Sequence, residues 1–238
     1  MARTSFRTHR AFSLIELLVV IAVISVLMTA AAVGINNLGG KGVTSAVSNA
    51  EAIFDEARAT AKSRSIRSCV LVAKSLDNNP QDDLRRMVVA YEEVDPVTGE
   101  PTAEPDDDNI TWVLSSRGAV FPERVFFSEE LSRRDHQAGG EGVPIVTLPE
   151  GTVKPNYVGD YFIYQFNSEG VAQNPGTSFV IGAGVRPTNV SADEEPPRVT
   201  GKAKRDFGGF VVWRNGGTSV FRSVNQITET VPSPGDAF

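Results

Sequence analysis

Residues 11–35 read Ala-Phe-Ser-Leu-Ile-Glu-Leu-Leu-Val-Val-Ile-Ala-Val-Ile-Ser-Val-Leu-Met-Thr-Ala-Ala-Ala-Val-Gly-Ile, an apolar run whose one charge, Glu16, lies near its start. As a helix, residues 12–33 would extend about 33 Å, enough to cross the hydrocarbon core of a bilayer. A charge inside such a span costs roughly 2.5–3.5 kcal/mol at mid-bilayer and less towards the ends, so Glu16 calls for a partner. Arg3, Arg7 and Arg10 precede the run and no basic residue follows before Lys41. That asymmetry predicts a cytoplasmic N-terminus and an exported remainder. A cleaved secretory signal ending near Thr29-Ala30-Ala31-Ala32 is the competing reading. The charge at Glu16 favours a retained span, because it would hinder a signal's apolar region.

The block Arg10-Ala11-Phe12-Ser13-Leu14-Ile15-Glu16-Leu17-Leu18-Val19-Val20 closely resembles the cleavage and methylation signature of type IV prepilins and pseudopilins. The resemblance implies that a prepilin peptidase cuts between Ala11 and Phe12 and that Phe12 is then N-methylated. Ala11 stands where the family usually has Gly. Glu16 becomes the fifth residue of the mature chain, as the family pattern requires. The implied partners are prepilin peptidase, other pilin or pseudopilin subunits, an inner-membrane assembly platform and membrane lipid. The implied location is the bacterial inner membrane, single-pass, with a periplasmic head that is incorporated into a filament.

Electrostatics suggests what Glu16 does. A carboxylate and an α-ammonium 4 Å apart attract by about 4 kcal/mol at an effective dielectric near 20, before desolvation is subtracted. The Phe12 ammonium released by cleavage is thus a partner for Glu16, within a subunit or between neighbours, and the family precedent favours neighbours. A partly neutral Glu16 at the interface, without a partner, is the plainer alternative.

Beyond the apolar run, Gly34, Gly39, Gly40 and Gly42 are interleaved with Asn36 and Asn37. Each interior Gly weakens a helix by about 1 kcal/mol, so a bend, a locally melted stretch or a simple linker is expected there. Helical periodicity resumes with Val43, Val47, Ala50, Phe54, Ala57 and Ala61, one apolar stripe at alternating spacings of four and three. From residue 68 the pattern turns to strands, expected over 69–74, 87–94, 110–115, 124–127, 160–166, 178–182, 210–214 and 218–223. Asn215-Gly216 marks a tight hairpin turn between the last two. Polar excursions are expected over 76–84, 95–109 and 186–205.

The expected fold is therefore α+β: a long N-terminal helix, membrane-spanning and then amphipathic, packed on an antiparallel β-sheet head in the manner of type IV pilins. The divisions are 1–11 as leader, 12–35 as the transmembrane and filament-core helix, 36–65 as hinge and amphipathic helix, and 66–238 as the head. Two further stretches, Glu56-Ala-Arg-Ala-Thr-Ala-Lys-Ser-Arg and Phe166-Asn-Ser-Glu-Gly, give the head a weaker resemblance to H-type minor pseudopilins of type II secretion and FimT-like minor pilins. The acidic stretch 95–109 departs from the shorter heads of that group.

Catalysis finds little support. His136 is the one histidine outside the leader, in Arg133-Arg-Asp-His-Gln, with no second His or Cys cluster to make a zinc site. Asp106, Asp107 and Asp108 could gather oxygen ligands for calcium, but lack the spacing of a helix–loop–helix site and read better as a solvated loop. Gly182-Ala-Gly-Val lacks the helix and third glycine of a dinucleotide loop. No cofactor is expected. Cys69 is the single cysteine, so no intrachain disulfide forms, and its apolar surroundings mark it as a buried strand residue. The net charge is −6 and the leader removes three arginines, so the exported part is more acidic still and no nucleic-acid partner is expected. Three function classes follow: a filament subunit first, a binding module at a filament tip or on the membrane for secreted protein, surface or DNA second, and an anchored enzyme last.

Overall fold

In the computed structural model the described residues are 18–21, 23, 38–103, 110–135, 141–199, 206–221 and 226. They fall into two units, 1–38 and 39–238. In the first, residues 18–21 and 23 are helical. Among the described residues no helix is long and apolar enough to cross a membrane, and most of the span expected over 12–35 lies outside them.

Helix α1, Leu38–Arg64, belongs to the second unit in all but its first residue. It already includes Gly39, Gly40 and Gly42, so the described part of the expected break is helical; Gly34 lies outside the described residues. All six residues of the predicted stripe are buried, joined by Ala46 and Ile53. Lys62 and Arg64 in the last turn suit the negative end of the helix dipole. The helix stops at Ser65, whose φ of 56° is left-handed, while the Ile66 N–H reaches back 3.3 Å to the Ala61 carbonyl. That is the Schellman closure, with serine in the place glycine usually takes.

Among the described residues ten strands follow in two antiparallel sheets, rather than the single sheet expected. The first has the order β3 (Trp112–Leu114), β2 (Arg86–Glu92), β1 (Ser68–Leu76), β7 (Gly159–Phe166), β6 (Ile145–Leu148), with β4 (Ala119–Val120) also on β2. The second runs β10 (Thr218–Phe221), β9 (Phe207–Val212), β8 (Thr177–Ala183), β5 (Val125–Phe127). All eight predicted strands are present with shifted ends; β4 and β6 are additional. The turn between β9 and β10 carries positive φ at Gly216 (73°), whose N–H bonds the Trp213 carbonyl at 2.8 Å.

Strand alternation explains the layering. Val70 and Val72 of β1, Phe162, Tyr164 and Phe166 of β7, and Phe179, Ile181, Phe210 and Val212 of β8 and β9 share one core with the α1 stripe. Their neighbours Cys69, Leu71, Tyr161 and Ile163 point the other way into a second cluster closed by Trp112 and Leu148. The outer face of the second sheet is likewise covered, with Val180 and Val211 against Leu131 and Val199. Phe54 is the pivot. Its ring lies 5.1 and 6.3 Å from Tyr164 and Phe166 on one sheet, and 5.5 and 4.9 Å from Phe179 and Phe210 on the other, all edge-on. Close approach of β9 to α1 depends on Gly208, where an added Cβ would sit 3.3 Å from Val43 and Val47.

Candidate functional site

The sequence points to the N-terminal helix, and its described part has one notable property. Leu18, Val19, Val20, Ile21 and Val23 are all apolar and between 51% and 60% exposed. Four consecutive helical residues, 100° apart, sample every side of the cylinder. A helix that is apolar all round needs an apolar surrounding, supplied by lipid or by other helices. Ala11, Phe12 and Glu16 lie outside the described residues, and so does any pairing between Phe12 and Glu16.

In the head, the two stretches that carried the weaker resemblance meet. Asn167 Oδ1 accepts the N–H groups of Glu169 (3.0 Å) and Val171 (2.8 Å), which turns the chain, with Gly170 at φ 72°. A Cβ on Gly170 would strike Lys62 and Arg58, and one on Gly216 would strike Arg58 and the Gly170 carbonyl. The Asn167–Gly170 turn and the β9–β10 turn therefore rest on the basic end of α1, which is why both need glycine. Nearby, Arg67 clamps the buried Glu92 carboxylate through Nε (2.9 Å) and Nη2 (2.6 Å), and Arg64 stacks over Tyr91 at 4.3 Å. These contacts seat the helix end on β2.

Among the described residues no group of three His, Cys, Asp or Glu is placed to hold a metal ion. His136 and Asp106, Asp107 and Asp108 lie outside those residues. Cys69 is fully buried, and burial pushes its thiol well above the ordinary range, so it is a core residue without nucleophilic character.

Sequence reading missed a buried polar cluster. Asp83, inside the stretch 76–84 expected to be a polar excursion, has no exposed surface. Its Oδ1 accepts Leu76 N–H at 2.9 Å, and Oδ2 accepts Ala192 N–H at 3.0 Å beside Arg186 Nη1 at 3.5 Å. Burial raises the carboxyl above its usual range, against the pull of those N–H groups and of Arg186. Asp83 thereby stitches the stretch after β8 to the β1–β2 connection. The signal was the polar run itself; nothing in its spacing announced that it folds inward.

Residues 6–32 match the family model for the prokaryotic N-terminal methylation motif. The N-terminal signature is of the prepilin type. That motif is the mark of type IV pilin-like substrates of prepilin peptidase, a group of structural subunits. No curated protein and no solved structure matches the chain.

Proposed function

We propose that this chain is a minor pseudopilin or pilin-like subunit of a type II secretion or type IV pilus-like filament. Prepilin peptidase cuts between Ala11 and Phe12, Phe12 is N-methylated, and the subunit waits in the inner membrane with its head in the periplasm. An assembly platform then passes it into the filament, where the Glu16 carboxylate takes the Phe12 ammonium of a neighbouring subunit. The observation that carries this reading is the methylation motif over residues 6–32, joined to a helix whose described residues are apolar on every side.

Mass spectrometry of the mature N-terminus tests the reading. The expected product begins with methylated Phe12; a start near Val33 would make the protein a secreted soluble one and end the proposal. Replacing Glu16 by Ala is expected to leave membrane insertion intact and to abolish co-assembly with filament subunits, scored by crosslinking. Normal co-assembly of that variant would remove Glu16 from the mechanism.

A further inference from the structure

One spot in the head gathers three guanidiniums, those of Arg85, Arg86 and Arg186, against the two carboxylates of Asp82 and Asp83. The Pro80–Asp82 turn presents two successive carbonyls to two arginines: Pro80 O accepts Arg186 Nη2, and Gln81 O accepts Arg85 Nη1 at 3.4 Å. Because the acceptors are adjacent, the guanidiniums are neighbours, and both flank the Phe126 ring, 6.0 Å (Arg85) and 5.9 Å (Arg186) from its centroid. The Arg186 side chain is 1% exposed. Asp82 is committed to Arg86 and Asn79. Asp83 already accepts two backbone N–H groups and pairs with Arg186, so among the described residues Arg85 has no carboxylate of its own. Arg85 Nη2 is met by the Phe121 carbonyl at 2.8 Å, but among the described residues two buried donors, Arg85 Nε and Arg186 Nη1, have no acceptor in hydrogen-bonding geometry, the Asp83 oxygen standing 3.5 Å from the latter. Each such group is costly to leave unmet in a low-dielectric site.

We propose that Arg85 and Arg186 bind one small monoanion, the size of chloride or formate, between the Pro80–Asp82 turn and Phe126. Small size follows from occlusion, since both unmet donors are buried. The anion accepts from Arg85 Nε and Arg186 Nη1, cancels the surplus charge, and fixes the stretch after β8 whose Ala192 N–H rests on Asp83. This site does not depend on the filament role.

The test is chloride-35 NMR line broadening on the full chain in detergent micelles. The folded protein should broaden the resonance, and sodium formate should relieve that broadening while sodium gluconate at equal ionic strength should not. Arg85→Gln, at a partly exposed side chain, should reduce the excess linewidth at least threefold with the near-UV circular dichroism retained. Displacement by formate well below the chloride concentration assigns the site to carboxylates; the reverse order assigns it to halides. Equal broadening in wild type and Arg85→Gln, or none in the folded wild type, would overturn the proposal and leave ordered water as the acceptor. Should Arg85→Gln not fold, the formate-against-gluconate contrast on the wild type decides by itself.

Discussion

Cys69 and Asp83 are both fully buried, and their chemistry diverges. Burial raises the Cys69 thiol well above its ordinary value, so the native state holds its proton more tightly than the unfolded chain does. Stability from this group is complete below the ordinary thiol pKa of about 8.5 and falls as pH rises through the native value. Urea titrations from about pH 8 to 10 should therefore show the wild type losing up to about 1.4 kcal/mol per pH unit relative to Cys69→Ala. A thiol reagent should label Cys69 only on the unfolding timescale. Asp83→Asn leaves Arg186 as a buried cation with a weakened partner; the expected loss is about 3–5 kcal/mol, read from the denaturation midpoint. At this scale the stripe residues around Phe54 were legible, because periodicity speaks directly of burial. Asp83 was not, because composition alone cannot tell a polar run in water from one satisfied by backbone N–H groups and a buried arginine.

Among elements, α1 supplies more of the main core cluster than any single strand does. Phe54 meets two rings on each sheet, so Phe54→Ala should cost about 3–5 kcal/mol, with thermal unfolding as the measure. The helix end offers the opposite opportunity. Ser65 adopts the left-handed conformation that costs an L-residue roughly 1–2 kcal/mol, so Ser65→Gly should raise stability by up to about 1 kcal/mol. A loss instead would mean that the serine side chain contributes more than its backbone strain. The strands were legible where β-branched and aromatic residues clustered. β4 escaped because two residues, Ala119 and Val120, make no pattern. β6 escaped because Ile145-Val-Thr-Leu is a four-residue strand with Pro144 before it and Pro149 after it, a local sequence that reads as loop. The division into two sheets was invisible for a different reason. Alternation fixes which residues share a face, while the choice of sheet rests on long-range pairings such as β1 with β7 and β5 with β8.

For the molecule as a whole, the described core begins at Val43, so a chain starting at residue 39 keeps every residue of the main cluster. That fragment should unfold cooperatively and retain its near-UV circular dichroism, despite having no disulfide to constrain it. Non-cooperative melting would show that the head depends on the preceding segment. The N-terminal signature was fully legible in the sequence, since a peptidase reads it as a sequence. The pairing of the Gly170 and Gly216 turns on Arg58 and Lys62 could be named by its residues but placed only by the fold.

The junction of α1 with β1 has a mechanical consequence. The helix passes through Ser65, Ile66 and Arg67 directly into β1, which is flanked by β2 on one side and β7 on the other. Tension drawn along α1 thus enters the first sheet at an interior strand and divides between two ladders, and the Arg67–Glu92 clamp adds a side-chain tie to β2. A strand at the rim would have peeled bond by bond. In single-molecule pulling through the start of α1, Glu92→Gln should lower the rupture force, with the break beginning where helix becomes strand.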